Sequence, residues 1–157
     1  IWQFYNARDK KPIAYADRYW TEALDRPGAF QAVYLKKLIV SRSINRRFPD
    51  QTIIESGQGE KGEYITAFHG ADSSYLMVYL PVGKKVGIYT ASLKATEVIA
   101  WWFNPKSGKS LKIGLFQKKT IMSFMPPETG TGNDWVLVMD STEKLFSEPG
   151  SITANGR

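Results

Sequence analysis

The stretch EVIAWWFNPKSGKSLKIGLFQ, Glu97 to Gln117, decides how the chain is read. Its first half is apolar on both faces of an extended strand, because neighbouring side chains point in opposite directions. Its middle, Asn104 to Gly108, is turn chemistry: Pro105 fixes φ and Gly108 supplies a permissive conformation. Its second half returns to alternation in LKIGLFQ. A two-faced apolar strand that reverses within five residues belongs to a β-structure with both faces covered. The stretch also raises the main functional question. Trp101 and Trp102 are either ligand-contact aromatics on an open face or filling between layers.

Working outward, period two holds over most of the chain beyond Thr52. The predicted strands are TIIES, EYITAFHG, SYLMVYLP, KVGIYTA, EVIAWWFNP, LKIGLFQ, TIMSFMPP and DWVLVMD. Turn residues separate them, and Pro81, Pro105 and Pro126-Pro127 are expected to end strands. ESGQGEKGEY reads as a hairpin connection, since it has no G-x-G-x-x-G pattern and precedes a strand. From Ser141 the chain turns polar and predicts a weak edge or loose tail.

The first fifty residues have a different period. DRYWTEALDR offers Asp17 as a cap, and RPGAFQAVYLKKLIVSR predicts a helix with Pro27 in its first turn. Phe30, Val33, Tyr34 and Leu38 recur at three- and four-residue steps, so this helix needs a surface on which to bury them. The fold class that results is mainly β: an antiparallel β-sandwich of about eight strands preceded by one or two α-helices.

The bulk numbers narrow function mostly by exclusion. The 157 residues are 43% hydrophobic and 23% charged, enough for a packed core and a hydrated surface. There is no cysteine, which removes disulfides, thiolate catalysis and zinc–thiolate sites. No apolar run is long enough to span a bilayer, and no secretory signal is visible. The chain opens on Ile1, which predicts a processed or truncated product. Net charge is +6, but residues 1–50 hold ten Lys/Arg against five Asp/Glu, a net of +5, intermixed. Nucleic-acid binding is not expected, because binders concentrate cations on one face.

No reactive constellation stands out. His69 is the only histidine, so a His-based metal site lacks partners and no metal or cofactor is predicted. No G-x-S-x-G elbow accompanies it. Asp50, Asp72 and Asp134 sit in turn contexts where a carboxylate bonds nearby amides. No pair of carboxylates has the spacing signature of a glycosidase. No catalytic residue is assigned.

Taken in order, PGAFQAVYLKKLI, RRFPDQ, AWWFNPKSG and PPETGTGNDWVLVMD carry a family resemblance. The chain resembles the C-terminal end of bacterial secreted proteins built from an apiosidase-like (β/α)8 glycoside hydrolase barrel and a β-sandwich tail. That tail is known as a "putative collagen-binding domain of a collagenase". Trp102, Phe103, Asn104, Pro105 and Gly108 match the family's W-F-D-P-x-x-G turn, with Asn104 in the place of Asp. Asp134 to Val138 match its final core strand.

The resemblance implies a division. Residues 1–50 are the remnant of the barrel, and residues 51–157 are an accessory sandwich. It implies that the cleaving carboxylates precede this chain, so that the chain alone is not an enzyme while its parent hydrolyses O-glycosyl bonds. By position, Trp2 and Gln3 are placed at the parent's sugar site. The implied partner is the catalytic barrel, and the implied location is secreted, periplasmic or cell-surface. The leading reading is a non-catalytic module bracing the barrel. The alternative is a carbohydrate- or collagen-binding module.

Overall fold

The computed structural model describes residues 5, 8, 16–42 and 46–151. Two helices, α1 (Trp20–Ala23) and α2 (Pro27–Val40), precede nine strands. These are β1 (Arg47–Pro49), β2 (Ile54–Ser56), β3 (Thr66–Gly70), β4 (Tyr75–Gly83), β5 (Val86–Tyr89), β6 (Glu97–Asn104), β7 (Lys109–Gln117), β8 (Ile121–Phe124) and β9 (Gly130–Ser141). They form a six-stranded sheet in the order β1-β3-β4-β9-β6-β7 and a three-stranded sheet in the order β2-β5-β8. All pairings between strands are antiparallel. The molecule is a β-sandwich, as the alternation predicts.

Period two assigns each residue of the long sheet to a face. Leu76, Val78, Leu80, Val98, Ala100, Trp102, Trp135, Leu137 and Met139 point toward the small sheet and pack with its Val86, Ile88, Met122 and Phe124. Tyr75, Met77, Phe103, Val136 and Val138 point the other way and form a second cluster with Leu38 of α2. Burial on both faces is why SYLMVYLP and EVIAWWF are apolar throughout. Each large side chain removed from water contributes roughly 1.5–3 kcal/mol.

Several details depart from the sequence-based expectations. ESGQGEKGEY is not a hairpin. β2 pairs with β5, β3 pairs with β4, and the glycine-rich segment crosses from one sheet to the other. Pro81 does not end β4, which runs on to Gly83. It falls at the register break between Leu80 and Val82, where a missing N–H costs the ladder nothing. A short strand, β1, precedes the predicted set and pairs with β3, so the sheet begins before residue 51. Its proline and three-residue length hide it from a periodicity search.

In the helical region, Asp17 does not cap α1. The cap position is Tyr19, and Asp17 instead binds Arg18 at 2.9 Å and Arg26 at 3.0 Å. Pro27 does open α2. Of the predicted stripe, only Leu38 is buried and Tyr34 half-buried, while Phe30 and Val33 stay about half exposed. The segment after Ser141 is not loose as far as Ser151. Phe146 packs edge-on to Tyr75 with Arg42 over its ring, and the Gly150 amide donates to Ser41 Oγ at 3.2 Å.

Candidate functional site: the seam between helix α2 and the long sheet

The contact between α2 and the sheet is made by three kinds of interaction. The first is apolar, with Leu38 and Tyr34 against Phe103, Met77 and Val138. The second is a buried ion pair. Arg42, just past the helix, donates to both carboxylate oxygens of Asp140 on β9, Nε to Oδ1 at 2.8 Å and Nη2 to Oδ2 at 2.7 Å. This fork geometry is the strong form of the arginine–carboxylate contact. Burial pushes the Asp140 carboxyl above the usual carboxylate range, and the guanidinium opposes that push. Arg42 Nη1 also donates to the Ser41 carbonyl. The third is Arg47, which donates through Nε to Tyr75 Oη at 2.9 Å and through Nη2 to the Ile39 carbonyl.

The β6–β7 turn abuts the same helix. Asn104 Oδ1 accepts from the amides of Lys106 and Ser107, so this side chain builds the turn. Gly108 has a φ of 69°, and a Cβ placed there would lie 2.6 Å from the Tyr34 ring. Both facts require glycine. The aromatic run AWWF is therefore split between layers. Trp102 is 3% exposed, meets Trp135 at 6.3 Å edge-on, and donates from Nε1 to the Met125 carbonyl at 3.1 Å. Its ring is packed between the two sheets. Trp101 lies on the other face, half-buried, with Lys112 Nζ 5.7 Å from its ring centroid. Trp2 and Gln3 lie outside the described residues.

The polar candidates occupy structural positions. Asp50 accepts from the Thr52 amide at 3.0 Å and caps the short 3₁₀ turn Gln51–Ile53. Asp72 accepts from the Ser74 amide and hydroxyl, and Lys144 beside it holds its carboxyl down to about 2. Asp134 pairs with Tyr79 Oη at 3.4 Å and stands 4.0 Å from Lys106. The Tyr79 hydroxyl is pushed up by burial and by that carboxylate. His69 Nδ1 lies 2.9 Å from the Gly70 carbonyl, and Nε2 lies 3.8 Å from Asp50. Among the described residues, no cluster of three or more His, Asp or Glu side chains could hold a metal ion. No helix among them is long and apolar enough to cross a membrane.

Sequence reasoning missed the Arg42–Asp140 pair, whose members are 98 residues apart. A signal was present: Asp140 ends a strand that is apolar on both faces, and a carboxylate at such a position needs a cation.

A sandwich with a helix sealed to the outer face of its larger sheet is the class that the geometry defines. Residues 48–140 match the family described as "Putative collagen-binding domain of a collagenase", and the chain belongs to that family. Two solved structures are similar over most of the chain. One is a glycoside hydrolase, 30% identical with a TM-score of 0.81, over 90% of this chain and 31% of its own length. The other is a glycoside hydrolase of family 5 from Bacteroides vulgatus, 32% identical with a TM-score of 0.76, over 82% of this chain and 27% of its own. The chain thus spans about a third or less of each of these proteins. No curated protein matches the sequence.

Proposed function

We propose that this chain is the non-catalytic C-terminal part of a secreted glycoside hydrolase. The segment before β1 closes its catalytic barrel, and the sandwich from β1 onward braces that barrel from outside. The observation that carries the reading is the uneven burial of the helical segment. The C-terminal end of α2 is held to the sandwich by Leu38, Tyr34 and the Arg42–Asp140 pair. Upstream of that end, Trp20 and Leu24 at α1 and Phe30, Val33 and Leu35 of α2 are each about half exposed or more. Exposed large apolar side chains in this number mark a surface that another element covers. The likeness to chains three times as long, described as glycoside hydrolases, supports a barrel as that element.

The chemistry agrees. The carboxylates Asp50, Asp72, Asp134 and Asp140 are engaged in turns or ion pairs, whereas glycoside cleavage needs two that converge on one bond. The isolated chain is expected to release nothing from aryl glycosides or polysaccharides, while the full-length protein does. Turnover by the isolated chain that disappears when one of its own carboxylates is changed overturns the reading. The further step, that the sandwich itself retains polysaccharide or collagen, predicts an exposed strip of flat rings. Trp102 is enclosed and Trp101 is half covered by Lys112, so scaffolding is the better-supported role. Pull-down on insoluble glycans and on collagen distinguishes the two.

A further inference from the structure

Among the described residues, the two sheets leave a groove between them along one side. β7 ends the six-stranded sheet and β8 ends the three-stranded sheet, and both border the same groove of about 580 Å³. Its walls include Ile113 and Phe116 from β7, and Ile121, Phe124 and Met125 from β8 or just beyond. Ile121 and Met125 are largely exposed, as are Leu111 and Leu115 along β7. β7 is nine residues long. Proteins normally keep free strand edges short, or cover them, because an unpaired row of amides and carbonyls recruits another strand.

Lysine predominates along β7 and just after it. From Lys109 to Thr120 the chain has four lysines and no aspartate or glutamate. Lys119 lines the groove and Lys109 opens β7. Lys112 lies over Trp101, and Lys118 Nζ donates to the Leu93 carbonyl. The nearest carboxylate on the paired strand, Glu97, is at the far end of β7 and accepts from Gln117. An apolar trough with Lys119 in its lining, beside a lysine-bearing strand edge that has no partner strand among the described residues, complements an extended peptide that alternates apolar and acidic residues. It does not suit a sugar chain, which uses flat indole or phenol rings and polar side chains that bond hydroxyls. Here the lining has no tryptophan or tyrosine: it is mostly aliphatic with two phenylalanines, and Gln117, Lys119 and Ser123 are its polar members.

We infer that the open side between β7 and β8 binds an extended acidic–apolar peptide segment of another protein, which adds a strand to the β7 edge. Backbone pairing supplies affinity, the trough takes alternate side chains, and the lysines select acidic neighbours.

The test is hydrogen–deuterium exchange on the full-length protein with and without a blocked peptide, Glu-Ile-Glu-Val-Glu-Ile-Glu. The amides of β7 that point away from β6 are expected to exchange fast in the free protein and slowly in the complex. Affinity should fall as salt is raised. The double reversal Lys109→Glu with Lys119→Glu should weaken binding roughly tenfold, both sites being exposed or at the rim. Ile121→Asp should weaken it through the trough instead, with thermal unfolding showing that each variant is folded. The inference is overturned if those outward amides are already protected in the free protein or the peptide leaves their exchange unchanged. It is equally overturned if the variants bind as tightly as the wild type, or if only an acidic oligosaccharide protects the edge. None of these outcomes bears on whether the helices dock to a barrel.

Discussion

The two faces of the six-stranded sheet solve burial differently. Toward the small sheet, every layer is apolar, and Trp102 is the one ring there whose polar atom reaches a backbone carbonyl. Toward α2, a smaller apolar cluster shares the space with an arginine and an aspartate, both almost wholly buried. The inner face is a folding core, in which shape and volume decide stability. The outer face is a seam, in which a paired charge fixes where the helix lies. A hydrophobic contact tolerates sliding, whereas a two-pronged guanidinium–carboxylate contact has one register. The difference suggests that the position of α2 relative to the sheet matters, as it must if the helix transmits the placement of a larger neighbour.

The comparison is broken hardest at the seam. Arg42→Ala leaves Asp140 buried without its cation and should cost about 3–5 kcal/mol in chemical unfolding at neutral pH. The loss should shrink in acid. Burial already raises the Asp140 carboxyl in the folded protein, so the folded form gains a proton first as pH falls, and the penalty returns as pH rises through its folded value. Replacing the pair together, Arg42→Met with Asp140→Leu, should cost far less if the pair serves register rather than stability.

In the inner core, Leu137→Ala should cost about 2–5 kcal/mol with no such pH dependence. Trp102→Phe removes the bond to Met125 and leaves that carbonyl unpaired, a loss of about 1–3 kcal/mol. Two changes sharpen the contrast by doing little. Lys144→Ala should cost less than about 1 kcal/mol, because its partner Asp72 is partly hydrated. The Asp72 carboxyl is lowered to about 2, so this contribution is present above its ordinary value near 3.8 and vanishes as pH falls toward 2. Phe30→Ser should change the stability of this chain by no more than about 0.5 kcal/mol. In the full-length protein it should separate one thermal transition into two.

The inner face was legible in the sequence. Alternation placed eight of the nine strands, and the Asn104–Gly108 turn could be read almost atom by atom. The seam was less legible, because its pairing depends on residues far apart in the chain. Periodicity marked an apolar stripe on α2 but could not say which part meets the sheet. In the structure only the end bearing Tyr34 and Leu38 does so. Trp101 and Trp102 show the same limit: the strand period sets them on opposite faces, and only the packed sheets show which face is sealed. Pro81 and the crossover after β2 escaped for a local reason. A register break and a change of sheet use the same glycine and proline vocabulary as a turn.

The last strand in sequence is a middle strand in space: β9 lies between β4 and β6. During synthesis, β4 and β6 have no common neighbour until residues 130–141 have emerged from the ribosome. The nascent sandwich must wait for its own keystone, exposing apolar strands until β9 has been made. A stop codon before Gly130 therefore does not trim this fold; it leaves β4 and β6 with no strand between them.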